Sequence, residues 1–303
     1  MHTMLRLETD KGVYAVKLLN PAVMKRPEAL QNYAAAEHLE SVLQANALPI
    51  IPAMAFNGKK LQCIGGQYFY VFPWVEGEAL AWDAVETEHC AAIGKLLARI
   101  HKLETRHSPA DIPMSETDWN VYLSKSRSLC PEIASVLADH IMLLYTAQDE
   151  YNTALASLPS VSCICNGDMD SKNVLWLHGT PSIIDLECLA YGNPYLDMFR
   201  LALSWAGDTI CRIDFGLLTA FIAAYRKEYC GFQVNLSALY GIGFGWLDWL
   251  EYNVKRALRM ECANDEEQTL GISQVHDTIK RIAYYASIKD TLLRHVSEME
   301  TCL

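Results

Sequence analysis

The stretch VSCICNGDMDSKNVLWLHGTPSIIDLECLAYGN, residues 161–193, decides the reading of this 303-residue chain. It holds two apolar runs of β type, 161–165 and 182–186, each with an acidic residue at or just past its end. Between them stand Asp168-Met-Asp-Ser-Lys-Asn173, a short strand at 174–176 and a turn at 178–181. The order of strand, acidic loop, strand, turn, strand and acid predicts a hairpin that brings its two ends together. Asp168, Asn173 and Asp185 then face one cleft. Carboxylate and amide oxygens are hard ligands, so the trio suits Mg²⁺ and the phosphates that Mg²⁺ carries. A single Asp after a strand caps a helix or closes a turn about as often as it does chemistry. Three such residues in this order point to phosphoryl transfer.

The Asp168–Asn173 spacing is that of a kinase catalytic loop, and Asp185 stands where the metal-binding acid follows. Three wordings carry a closer likeness: Asn166-Gly167-Asp168 running to Asn173-Val174-Leu175, then Ile184-Asp185-Leu186-Glu187, then Gly192-Asn193-Pro194-Tyr195-Leu196-Asp197. They resemble the aminoglycoside phosphotransferase and choline kinase family, which reads H-G-D-x-x-x-x-N-V-L, I-D-[WFL]-E and G-x-P-x-x-D-L. Asn166 departs from the pattern, which has His there. The resemblance is strongest over 162–203 and weak after 207.

That resemblance implies an α+β, two-lobe protein-kinase-like fold. A small, mainly antiparallel β lobe spans 1–73, a hinge lies near Pro73, and a mainly α lobe spans 74–303. It implies an O-phosphotransferase using ATP or GTP with Mg²⁺. Asp168 is then the base, and Asn173 and Asp185 are the metal ligands. Lys17 anchors the nucleotide phosphates, paired with Glu37 of the following helix. Phe72 and Trp74 flank the adenine at the hinge, and Asp197 hydrogen-bonds the catalytic loop's backbone. An aminoglycoside-like acceptor is favoured, with choline, ethanolamine or another amino alcohol as the alternative. A nucleotide-binding pseudokinase is the reading from another class; Asn166 and the short N-terminal segment favour it, and the complete Asp168–Asn173–Asp185 set opposes it.

Composition sets outer bounds. Half the residues are hydrophobic and a fifth are charged, enough for a sizeable core. A net charge of −11 argues against nucleic acid or an anionic membrane as the main partner and is compatible with a cationic substrate. Ten cysteines show no C-x-x-C pair, which fits free thiols in a reducing compartment. Cys163 and Cys165 alternate along one strand and read as core. No apolar leader or membrane-length run is present, so a cytoplasmic protein is expected.

In chain order, 4–9 and 13–19 form a hairpin around Asp10-Lys11-Gly12, with Lys17 on its second strand. Lys17 comes too early for a further strand pair and a phosphate-covering loop before it. Either the chain begins further upstream or the nucleotide is covered differently. A helix follows over 27–45, where Glu37 and Glu40 are both candidates for the pair with Lys17 that the resemblance implies; Glu37 is preferred because it sits beside small apolar neighbours, and Glu40 reads as solvated. Strands are expected at 53–57, 60–64 and 67–72. Beyond Gly77 helices are expected at 86–102, 119–123, 133–158, 195–206 and 215–229, with a loop over 111–115 and one or two helices over 266–298. His101 closes the first of these helices and reads as structural. Trp246 and Trp249 share a helical face, as do Asp248 and Glu251. With Glu187 these are the candidates for a wall that receives a cationic acceptor, although core aromatics beside a solvated acidic face are the commoner arrangement.

Overall fold

The computed structural model describes residues 2–106, 114–229, 231–232, 234–262 and 264–302. Positions 111–113 of the expected loop lie outside these.

The chain opens with the expected hairpin, β1 (Thr3–Thr9) and β2 (Gly12–Leu18), paired from Thr3↔Leu18 to Thr9↔Gly12. After a short turn of helix, α1 (Pro21–Met24), comes α2 (Ala29–Ala45). Strands β3 (Gln62–Ile64) and β4 (Gln67–Pro73) complete a four-stranded antiparallel sheet of order β1-β2-β4-β3. The strand expected at 53–57 does not form. Pro49 and Pro52 have no N–H to give a ladder, and the segment makes only single contacts, Met54 N–H to Val71 O at 2.8 Å and a bridge from Phe56 to Lys59.

Helix α2 buries Tyr33, Ala36, Leu39, Glu40 and Leu43, one face at helical spacing. Tyr33 joins Leu19, Ala53 and Tyr70 in a small core under the sheet, while Ala36, Leu39 and Leu43 join the large core of the rest of the molecule. The helix therefore packs on both parts of the chain. A second tie runs through the proline segment: Ile183 N–H bonds Pro49 O at 2.8 Å, and Ile51 N–H bonds Ile183 O at 2.9 Å.

Past β4, the two-residue β5 (Glu78–Ala79) pairs with β8 (Val174–Leu177), which forms a hairpin with β9 (Thr180–Ile183). His178 and Gly179 turn that hairpin with φ of 49° and 76°, so the last strand begins at Thr180, two residues before the expected start. A third sheet orders β10 (Ala190–Gly192), β7 (Ser162–Cys165) and β6 (Thr105–Arg106). Around them pack α3 (Thr87–His101), α4 (Trp119–Leu129), α5 (Pro131–Ala156), α6 (Pro194–Trp205) and α7 (Phe215–Glu228). The chain ends in α8 (Leu247–Ala257), α9 (Asp265–Ser287) and α10 (Lys289–Cys302). Among the described residues, no helix is long and apolar enough to cross a membrane.

Candidate active site

Buried β7 delivers the chain into Asn166-Gly167-Asp168. The loop is held from α6. The Asn193 side chain and Pro194 fix that helix's first turn, which places Asp197 inward. Asp197 accepts the backbone N–H of Asn166 at 3.0 Å and of Gly167 at 3.1 Å, the supporting contact expected of it. It also lies 3.1 Å from His101 Nε2, and the other ring nitrogen of this fully buried histidine is 2.7 Å from the Tyr225 hydroxyl. Asn166 is buried too, and its side-chain oxygen accepts the N–H of Asp168 at 3.2 Å.

Asn173 donates its amide N–H to both the Asp168 carbonyl and carboxylate Oδ2, each at 2.8 Å. This fixes the carboxylate's direction. It also leaves the amide oxygen of Asn173 without a donor among the described residues. Burial raises the Asp168 carboxyl above its ordinary range, and Lys172, 3.4 Å away, opposes the shift.

Lys17 is 5% exposed on β2, and its ammonium reaches Asp185 at 2.7 Å and Glu187 at 2.6 Å. The expected Lys17–Glu37 pair is not made. Glu37 accepts the Tyr70 hydroxyl at 2.8 Å and the Leu61 N–H at 3.1 Å. Nor is Glu40 solvated: it is buried, takes Lys60 at 2.5 Å and accepts the N–H of Ala53. The α2 carboxylates therefore tie the helix to the sheet and the 53–61 segment, and the lysine is neutralised from the catalytic hairpin. Asp185 sits in the left-handed region, φ 58°, immediately before a 3₁₀ turn that carries Glu187. Burial alone would raise Glu187, but His2 and Lys17 hold its carboxyl below the usual range. Glu187 thus belongs to the Lys17 crevice and not to an acceptor wall. Phe72 and Glu37 line the same narrow crevice. Trp74 stands outside it, 40% exposed, with the Arg6 guanidinium 5.1 Å from its ring centroid.

On the other side, Asp168 opens into a cleft of about 370 Å³ that Trp246 and Trp249 line, as expected. Asp248 and Glu251 do not line it. Glu251 is engaged elsewhere, by the Tyr122 hydroxyl at 2.7 Å, the Thr117 hydroxyl at 3.0 Å and Lys255 at 3.0 Å. The pair is rotated away from the tryptophans, as positions two and five residues along a helix must be. The cleft's acids are Asp168, Asp170 and Asp208, and its cations are Lys172 and Arg200. Sequence reasoning missed Asp208 and Arg200. Each is a single charge within an apolar run, Met198-Phe199-Arg200-Leu201 and Trp205-Ala206-Gly207-Asp208, and that isolation is the available signal.

One further cluster brings metal-type ligands together. His101, Cys163 and Cys165 place ligand atoms within 4.8 Å of one another, all buried. Both imidazole nitrogens already face Tyr225 and Asp197, and the two thiols face each other at 3.8 Å, which fits the core role expected of the cysteines.

The residues around Asp168 suit a divalent cation by the chemistry of their donors. The Asp185 carboxylate and the undonated Asn173 amide oxygen follow the oxygen-only preference of Mg²⁺. An acid that follows a buried strand, an Asn and an Asp beside it and a buried lysine sit on a two-lobe α+β frame of protein-kinase-like type. The model of the phosphotransferase enzyme family matches residues 2–241, and the chain belongs to that family. Stress response kinase A of Escherichia coli K12 is 25% identical over 197 residues, 64% of this chain and 57% of that protein. The serine/threonine protein kinase RdoA of Salmonella typhimurium LT2 is 22% identical over 200 residues, again 64% and 57%. The chain thus spans little more than half the length of these curated relatives. The solved complex of spectinomycin phosphotransferase with ADP and spectinomycin aligns over 94% of this chain and 89% of that one, with a TM-score of 0.64 and 11% identity, a likeness of fold.

Proposed function

We propose that this chain transfers the terminal phosphoryl group of ATP or GTP to a hydroxyl of a small, amine-bearing molecule. The observation that carries the reading is the position of Asp168. Its carboxylate is oriented by Asn173, adjoins the Lys17–Asp185 crevice through the catalytic hairpin, and opens on its other side to an acid-bearing cleft. Phosphoryl transfer asks the protein for positioning and charge neutralisation more than for covalent chemistry. Asp168 orients the acceptor hydroxyl and takes its proton. Asn173 and Asp185 hold Mg²⁺, which when bound neutralises the phosphates. Lys17 exchanges a carboxylate for a phosphate oxygen.

Aminoglycosides and amino alcohols both meet the requirement for an amine and a hydroxyl. A second reading, the serine or threonine hydroxyl of a protein, is favoured by the printed name of the Salmonella relative. The deciding assay measures nucleotide consumption with Mg²⁺ against an aminoglycoside, choline, ethanolamine and a protein such as myelin basic protein. Acceptor-dependent turnover that Asp168→Ala abolishes is the expected result. Nucleotide binding without turnover on any acceptor, small or protein, returns the pseudokinase reading.

A further inference from the structure

The cleft beside Asp168 contains two charged groups that the protein leaves without a full set of hydrogen-bond partners among the described residues. Asp208 is 3% exposed, at the start of a 3₁₀ turn set by Gly207, whose φ is 103°. No other residue suits that corner, because a Cβ on Gly207 would lie 2.3 Å from the Arg212 carbonyl and 2.4 Å from the Trp82 ring. One carboxylate oxygen of Asp208 accepts the Trp246 indole N–H at 2.6 Å. The other is buried with no hydrogen-bond partner among the described residues. The nearby cation, Arg281, does not reach it. That guanidinium stacks 4.4 Å from the Trp246 ring centroid and donates to the Thr209 carbonyl at 2.9 Å. An orphaned, buried carboxylate oxygen on a residue that lines the cleft costs stability unless something donates to it.

Arg200 is the second group. Its guanidinium makes no hydrogen bond or ion pair among the described residues; its charge acts on the Asp248 carboxylate, which does not line the cleft, and it lies against the backbone at Gly245. A Cβ there would meet Arg200 Nε at 3.2 Å and Cζ at 3.3 Å, so glycine makes room for a flat guanidinium facing the cleft. A planar guanidinium is matched by a carboxylate, which it can grip with two parallel N–H bonds.

An ammonium for Asp208, a carboxylate for Arg200 and a hydroxyl for Asp168 describe one chemical class. We propose that the acceptor is a zwitterionic hydroxyamino acid, with Asp208 and Arg200 as its specificity-determining residues. The proposal rests on the phosphotransferase reading above and narrows it. In the reaction, the bond between the terminal phosphorus and its bridging oxygen breaks, and a bond forms from the acceptor oxygen to that phosphorus. The hydroxyl proton passes to Asp168. The products are an O-phosphoamino acid and the nucleoside diphosphate. Polycationic acceptors suit the site less well, because they bring no carboxylate to Arg200.

The test is steady-state kinetics with L-serine, L-threonine and L-homoserine against ethanolamine, choline and kanamycin. The hydroxyamino acids are expected to exceed ethanolamine in kcat/KM by at least roughly tenfold. Arg200→Met, an exposed and structurally mild change, should erase that preference by raising KM for the amino acids only. Asp208→Asn should raise KM for amino acids and ethanolamine alike, on the order of 10- to 100-fold, with kcat held within a few-fold. A purely structural Asp208 would instead lower the melting temperature and leave KM in place. Preference for ethanolamine, choline or kanamycin, or an Arg200→Met variant that affects both classes equally, overturns the proposal. So does consumption of none of the six. In that case calorimetry with Mg-ATP separates the two levels: binding keeps the phosphotransferase reading alive, and no binding removes both.

Discussion

The two sides of Asp168 differ in how their charges are settled. On the Lys17 side every charged group has a hydrogen-bond or ion-pair partner: Lys17 holds Asp185 and Glu187, His2 approaches Glu187 at 3.2 Å, and Glu37 takes Tyr70 and Leu61. On the cleft side, among the described residues, Asp208 keeps a buried oxygen without a donor, and Arg200 forms no hydrogen-bonded ion pair, its charge reaching Asp248 outside the cleft. A buried ion cluster is stable only when its members are paired, so the first side is a closed machine part. In our proposal the second is completed by the acceptor.

The comparison breaks first at Asp168, which serves both sides. Asp168→Ala should lower kcat by roughly 10²–10⁴-fold while nucleotide affinity stays near wild type. An equal loss of nucleotide affinity would make Asp168 part of the Lys17 side alone.

Within the paired side, Lys17→Met leaves two carboxylates facing each other and removes a phosphate contact. Its nucleotide KM should rise roughly 10- to 100-fold. Glu37→Gln should change it by less than about threefold, since a glutamine oxygen still accepts from Tyr70 and Leu61. Matching losses from the two variants would restore the helix–lysine pair as the working arrangement.

On the unpaired side, burial raises the Asp208 carboxyl from 3.8 to about 6, against the pull of the Trp246 N–H and Arg281. Between those values the folded chain keeps a proton that the unfolded chain has released. The stability from this group is therefore present at low pH and is lost as pH rises through about 6. The full window is worth on the order of 3 kcal/mol. Asp208→Asn carries no such charge, so denaturant unfolding at pH 4.5 and 7.5, about either side of that value, should show a variant that gains on the wild type at the higher pH. A constant difference between the two would remove the uncompensated carboxylate from the account.

The smallest effect concerns Lys172, which opposes the burial-driven rise of Asp168. Its removal should move the acid limb of the kcat profile to higher pH, by a fraction of a unit because Lys172 is mostly exposed. A shift to lower pH would contradict the assignment of Asp168 as the base that must lose its proton.

How much of this was legible in the sequence follows the same division. The 161–193 stretch is local, so turn residues and strand spacing predict its hairpin, and its wording carries the family. The contact between Asp197 and the loop backbone follows from the third motif. The partner of Lys17 was not legible. It lies 168 residues away and depends on which face α2 turns inward, and Glu37 and Glu40 both had the right spacing. The acceptor wall was half legible. Trp246 and Trp249 line the cleft, but Asp248 and Glu251 are carried round the helix and out of it. Asp208 and Arg200 are functional candidates only once a turn and a glycine place them beside Asp168. Propensity and periodicity do not report such placement.

The most direct test of the central claim is ³¹P NMR of the chain incubated with Mg-ATP and each hydroxyamino acid. The account predicts a new phosphomonoester resonance growing one-for-one with ADP, and its loss in Asp168→Ala. A resonance that persists in the variant, or ADP accompanied only by inorganic phosphate, would contradict it.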